Sequence, residues 1–433
     1  MFIHDNISAN DKNHLVMGGC DLCYLADKYK TPLYVMDEEK VRDNMRAYKN
    51  AIEDYYNSNG MVLYASKALS NLYMYKIAKE EGIGVDVVSG GELYTALKAG
   101  FDASKIYFHG NNKTYDEIEL GIKSKIACFV ADSINELDMI DRISGENNTV
   151  TNVMFRIKPG VDAHTHEFIA TGQIDSKFGF AIENNEAYEI IKYAKNLKNI
   201  MVVGIHCHIG SQIFELEPFC EAARIMIKFM TKVKNELGVN IKRLNLGGGF
   251  GIKYVKEDTP VVYPKYIEAV SKVLKEECEK EGVDLPYVLM EPGRSVVGDA
   301  GVTLYTVGSI KEIKDVRKYV SVDGGMGDNP RYILYEAEYD AAVANRADAK
   351  EEEVVTVCGK CCESGDIIMK DAKLPKLKSG DILCVMSTGA YNYSMSSNYN
   401  RICRPAMVFV SGGKEKLAVK RETYEDLIRN DLM

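Results

Sequence analysis

The chain has 433 residues, of which 46% are hydrophobic and 27% charged, so it can bury sizeable cores in two or three domains. Its formal charge of -9, from 54 basic and 63 acidic residues, argues against a nucleic-acid binder driven by phosphate contacts. No apolar run approaches the ~18 residues of a membrane span, and the N-terminal MFIHDNISANDKN lacks the basic-then-apolar order of a secretory signal. Eleven cysteines in irregular spacing suit reduced thiols in a cytoplasmic protein better than a disulfide frame. Cys20 and Cys23 form a C-x-x-C without a second pair at zinc-like spacing, so no metal is expected there.

In chain order, Pro32-Leu33-Tyr34-Val35 is the first strand candidate, expected to pack with a late β domain. Eight apolar runs follow: Val62–Ser66, Val85–Ser89, Ile106–His109, Ala127–Ala131, Val153–Lys158, Val203–Ile209, Arg243–Gly247 and Tyr287–Glu291. Amphipathic stretches such as Asn71–Glu80, Gly91–Ala99 and Phe219–Leu237 lie between them. Strand then helix, repeated eight times, predicts a (β/α)8 barrel, with a doubly wound open sheet as the competing α/β reading. After Gly298 the texture changes. VTLYTVGSIKEI, KYVSVDGG, EEVVTVCGK, DILCVMSTGA and PAMVFV read as strands with turns between them, which predicts a separate, mostly antiparallel β domain. The expected organisation is therefore an N-terminal segment (1–35) packing with the β domain, a barrel (36–298) and the β domain (299–433).

Barrel active sites lie at the C-terminal ends of the strands. Reading off those ends gives Ser66 and Lys67, Asp86 and Glu92, His109 and Asn111, Arg156, then His206, His208 and Ser211 in HCHIGSQ. The last two strands end in LGGGFG, with Gly247, Gly248 and Gly249, and in EPGR, residues 291–294. Glycines admit backbone N–H groups close to an oxyanion, and barrels often bind phosphate after strands seven and eight. A lysine at a strand mouth facing such a rim suggests a covalent aldehyde cofactor anchored by its phosphate, the lysine made nucleophilic by partial desolvation. Pyridoxal phosphate needs a lysine for its Schiff base and an acid for its ring nitrogen; Lys67 and Glu291 answer these needs, and His208 is placed to lie on the ring. His206 and His208 are expected to face opposite ways, one of them as a core histidine. His164 and His166 in DAHTHE show no third metal ligand. Further on, GKCCESGD (359–366) sets cysteine beside glutamate, and STGAYNYSMSSNYN (387–400) sets Tyr391 in a ligand-contact style of loop.

Taken together, YASKA, HCHIGSQ, GGGFG, EPGR, CCESGD and TGAYNYSMSSNYN resemble the fold-type III pyridoxal-phosphate decarboxylases, from about residue 30 to residue 410. CESGD, HIGSQ and the TG…SKFG stretch (171–179) favour the branch acting on meso-diaminopimelate, with lysine and CO2 as products, over the ornithine or arginine branches. The resemblance implies that Lys67 carries the cofactor, His208 stacks on it and Glu291 pairs with its ring nitrogen. It implies that Ser211, Gly248, Gly249, Gly293, Arg294 and Tyr391 hold the phosphate, with Asp86 and Arg156 supporting from below. Cys362 would be the proton donor, reaching across a homodimer with shared sites. Arg294, Arg331, Tyr335, Glu363 and Tyr391 would bind the substrate. Two departures stand out: the usual R-P-x-L-Y is Arg331-Tyr332-Ile333-Leu334-Tyr335, and Lys360 and Cys361 replace the usual approach to the CES motif. Sister decarboxylases of D-ornithine, D-lysine, arginine or carboxynorspermidine, an alanine-racemase-like enzyme, and a non-catalytic regulatory homologue are the alternatives.

Overall fold

The computed structural model describes residues 2–161 and 176–433; His164, His166 and residues 171–175 of the TG…SKFG stretch lie outside them. The chain divides into two compact units, Asn44–Gly251 with Pro260–Gly293, and Met1–Asp43 with Ile252–Thr259 and Arg294–Met433. The dividing points are 43/44 and 293/294, with the short segment 252–259 joining the second unit.

The first unit is a closed parallel barrel. Its strands are Gly60–Ala65, Gly84–Val87, Ile106–Phe108, Cys128–Ala131, Thr151–Lys158, Ile200–His206, Arg243–Asn245 and Tyr287–Met290. Each pairs in parallel with the next. The eighth returns to the first with Val288 opposite Gly60, which excludes the open sheet. Leu63, Tyr107, Cys128, Val130, Met154 and Leu289 form one buried layer of the core. The helices start where the sequence supplies caps. Asn71, Ser89 and Ser133 accept from the backbone N–H groups of Met74, Glu92 and Glu136, and Thr114 makes a capping box with Glu117, satisfying donors that a helix start leaves open. Several strands end one to three residues before the expected points. The residues beyond those ends, Ser66, His208, Gly247 and Glu291 among them, have left the ladder for the barrel mouth.

The second unit is a β domain around a nine-stranded sheet. Along its main path run Ile367–Leu374, Glu353–Cys358, Arg317–Val322, Gly301–Ile313, Leu33–Asp37, Ala406–Ser411 and Lys414–Val419. Most pairings are antiparallel. Leu33–Asp37 lies between Gly301–Leu304, antiparallel, and Ala406–Val410, parallel. The long strand Gly301–Ile313 serves two cores. Val302 and Leu304 join Leu33, Val35 and Val408, whereas Tyr305 and Val307 join Val320 and Val357.

Candidate active site

The C-terminal rim of the barrel carries the chemistry. Lys67 stands in a single 3-10 turn, Ser66–Ala68, directly after the first strand. Ser66 and Ala68 are buried on either side of it, whereas Lys67 itself is exposed. Asp86, Glu92 and His208 all lie within reach of the Lys67 charge. Ser66 Oγ donates to Glu92 Oε2 at 3.0 Å, and Val88 N donates to the same oxygen at 2.8 Å, which ties the lysine turn to the loop after the second strand.

Glu291 is buried beyond the eighth strand. Asn245 Nδ2 donates to Oε1 at 2.6 Å, and His206 Nε2 lies 3.1 Å from Oε2. His109 Nε2 stands 2.7 Å from Oε1, at a poor hydrogen-bond angle. Burial alone would raise this carboxyl; the histidines outweigh it and hold Glu291 well below the usual carboxylate range. Asp86 is equally buried, yet its Oδ1 has no partner among the described residues. Burial, then the Glu291 charge, pushes Asp86 well above the usual range. The rim thus pushes two buried carboxyls in opposite directions, Glu291 down and Asp86 up. Burial and the Lys67 and Arg156 charges keep the half-buried His208 neutral. Arg156 stacks on Phe178, 4.3 Å from guanidinium carbon to ring centre; burial pulls it down, while Asp132 and Glu291 oppose that pull.

The glycine-rich rim is a place where side chains do not fit. A Cβ on Gly248 would meet the carbonyl oxygen of Glu291 at 2.1 Å, and one on Gly293 would meet Ala65 Cβ at 2.8 Å. Gly249 holds φ at +113° and would crowd the Gly210 oxygen at 2.5 Å. Asn245 joins this turn to the carboxylate: its Oδ1 accepts from Gly247 N at 2.9 Å while its Nδ2 serves Glu291. An aldehyde cofactor with a phosphate fits these residues: a bare backbone cradle, an amine, a buried anion and an orphaned acid oxygen.

The β unit carries its own cluster. Arg294 Nη1 donates to Tyr254 Oη at 2.5 Å, and the guanidinium lies over the Tyr391 ring at 4.8 Å. Tyr391 has φ +70°. Arg331 is buried, donates to Tyr339 Oη at 3.1 Å and lies 4.5 Å from the Tyr254 ring centre. No carboxylate partners it among the described residues. Tyr335, in the same short helix as Arg331, is half-buried. In the CCES loop Cys362 is exposed, and its N–H donates to Asn400 Oδ1 at 2.7 Å. Cys361 is half-buried; burial and Asp366 push its thiol up to about 11. Glu363 is exposed, and Tyr399 Oη donates to it at 3.5 Å.

The expectation for the histidine pair changes. His206 and His208 do not face opposite ways, since residues two apart share a face of a strand, and both interact with Glu291. One of the two was expected to be a core histidine, yet His206 touches the carboxylate directly. Asn245, Tyr254 and Tyr339 were not legible as site residues. Asn245 had a signal, as a polar residue inside the apolar run RLNL; the tyrosines had none, because their partners are distant in sequence.

A family model described as "Pyridoxal-dependent decarboxylase, pyridoxal binding domain" matches residues 38–298. The diaminopimelate decarboxylase of Bacillus subtilis (strain 168) is 48% identical, covering 100% of this chain and 98% of that protein. Among solved structures, diaminopimelate decarboxylase from m. jannaschii in co-complex with L-lysine has TM-score 0.93 and 39% identity, covering 100% of this chain and 99% of that one. The Helicobacter pylori diaminopimelate decarboxylase complexed with L-lysine has TM-score 0.85 and 34% identity, covering 94% and 98%. The chain belongs to the diaminopimelate decarboxylase family of pyridoxal-dependent decarboxylases.

Proposed function

We propose that the protein decarboxylates meso-2,6-diaminopimelate to L-lysine and CO2, the last step of lysine synthesis, in the cytoplasm. The observation that carries the substrate reading is Arg331, a buried guanidinium with two tyrosine rings and a hydroxyl around it but no carboxylate partner among the described residues. A buried charge of this kind calls for an anionic ligand. The relatives named above act under that enzyme name, and two of the solved ones hold L-lysine.

Pyridoxal phosphate, when bound, supplies the electron sink for the pair left on Cα as CO2 departs. Lys67 is the amine that would anchor it. Glu291 offers its ring nitrogen an anion, His208 its neutral ring face. Ser211, Gly248, Gly249 and the Gly293–Arg294 turn offer donors to the phosphate, with Tyr391 closing that group, while Asp86 and Arg156 support the site from below. Arg294, Arg331, Tyr335, Glu363 and Tyr391 take the substrate, whose distal carboxylate and amine suit an arginine and a glutamate through charge-assisted hydrogen bonds. Cys362 is the acid that returns a proton to Cα, serving the neighbouring copy's site in a homodimer. In this reading residues 36–298 carry the cofactor, and 299–433 with 1–35 form the other functional half.

Purified protein given pyridoxal phosphate and meso-diaminopimelate should release lysine and CO2 in equal amounts, with D-ornithine, D-lysine, arginine and carboxynorspermidine turned over poorly. Absence of lysine would refute the substrate. Lys67→Ala should lose the visible band of the covalently held cofactor, and a retained band would refute the anchoring role.

A further inference from the structure

Three separate strand ends bring polar atoms to one buried carboxylate beyond a fourth: His109, His206 and Asn245 all meet Glu291. The two histidine rings cross at 74° with centroids 4.8 Å apart, so their Nε2 atoms diverge onto different oxygens, Oε1 for His109 and Oε2 for His206. A bare nitrogen lone pair aimed at a carboxylate is repelled, so His206 Nε2 carries the proton, while His109 Nε2, 2.7 Å from Oε1 but outside hydrogen-bond geometry, acts on Glu291 through its charge and dipole. His206 Nδ1 is buried and has no hydrogen-bond partner among the described residues. A histidine held only for packing would be expected to satisfy both nitrogens; this one engages Glu291 alone. Asp86 supplies the internal comparison. It is as buried as Glu291 but lacks the histidine pair, and its Oδ1 is orphaned.

We propose that His109 and His206 are positioning residues that fix Glu291 as an anion and thereby keep the ring nitrogen of the bound cofactor protonated. This rests on the reading of Glu291 as the ring-nitrogen partner. Oε1 accepts from Asn245 and has His109 Nε2 beside it at 2.7 Å outside hydrogen-bond geometry, whereas Oε2 meets only His206, so Oε2 retains the lone-pair capacity to accept an N–H from the ring. One proton is shared between ring nitrogen and carboxylate. Donors on the carboxylate lower its proton affinity and leave that proton on nitrogen; removing them moves it to oxygen, and the ring loses its charge. Asp86, Arg156, Cys207 and His208 also face this group, and none of them is altered in the test.

The test is 15N NMR of the ring nitrogen in protein loaded with 15N-labelled pyridoxal phosphate. Wild type should give a pyridinium resonance, and so should His109→Gln and His206→Gln, whose amides can still donate. His109→Leu/His206→Leu and Glu291→Gln should both move it toward the neutral-pyridine position, with cofactor affinity weakened roughly 10-fold or more. A pyridinium signal kept by the double leucine variant but lost in Glu291→Gln overturns the inference while sparing the role of Glu291. The same signal kept in Glu291→Gln overturns the Glu291 role itself. Should the double variant fail to bind cofactor, the single leucine variants decide: each should lower the pH of ring deprotonation by about one unit, and two unchanged titrations overturn the proposal.

Discussion

Replacing Arg331 by methionine isolates its charge, because length and much of the packing stay. The side chain is 7% exposed, with its guanidinium 4.5 Å from one tyrosine ring centre and 5.5 Å from another. Losing two cation–π contacts removes on the order of 1 kcal/mol each. Relief of a buried charge with no carboxylate partner returns a comparable amount. The fold should therefore change by about 1 kcal/mol or less, a Tm shift of ~3 °C. Substrate binding behaves differently. A buried guanidinium meeting a carboxylate contributes about 2–5 kcal/mol, so kcat/KM for meso-diaminopimelate should fall roughly 30- to 4,000-fold at 1.4 kcal/mol per factor of ten. Cofactor absorbance should be unchanged. Steady-state kinetics with differential scanning calorimetry give both numbers. A kcat/KM within about threefold of wild type, or a collapse of Tm that accounts for the lost activity, would refute the reasoning.

Gly248→Ala should weaken cofactor binding severely, since its Cβ would lie 2.1 Å from a backbone oxygen that cannot swing away; Gly238→Ala, with nothing within 4 Å, should leave cofactor titrations unaltered. Lys113 and Glu136 form an ion pair at 2.7 Å with side chains 1% and 2% exposed, so Lys113→Met should cost about 3–5 kcal/mol in urea unfolding, and adding Glu136→Leu should recover most of it. Burial raises Asp328 from 3.8 to about 7 even though Tyr305 Oη donates to it. Its folded state holds the proton longer than its unfolded state, so its contribution to stability is complete below about pH 4 and is lost as pH climbs through 7. Denaturation midpoints measured across that window should fall in wild type and flatten in Asp328→Asn.

Much of the barrel was legible because each strand is a short apolar run closed by a capping or glycine residue, as at Ser89 and Gly247. The polar residues after those runs, Lys67, Asp86, His208 and Glu291, were legible for the same reason: nothing in the packing of a strand explains them. What stayed hidden was the pairing among them. That His109 and His206 converge on Glu291 follows from closure of the barrel, which brings residues 182 positions apart into contact, and no local pattern encodes it. In the β domain, the aromatic setting of Arg331 depends on Tyr254, which sequence reading left within the barrel segment.

The place of Leu33–Asp37 bears on how the chain is made. This strand leaves the ribosome early, but both of its neighbours, Gly301–Leu304 and Ala406–Val410, are translated more than 260 residues later. Throughout that interval it has two open edges of unpaired N–H and C=O groups, and the sheet has no centre until synthesis is nearly complete. The barrel strands lie wholly inside that interval and can assemble first. Truncation before Ala406 would therefore remove more than a tail, leaving an early strand permanently exposed along one side, where newly made chains could pair with each other.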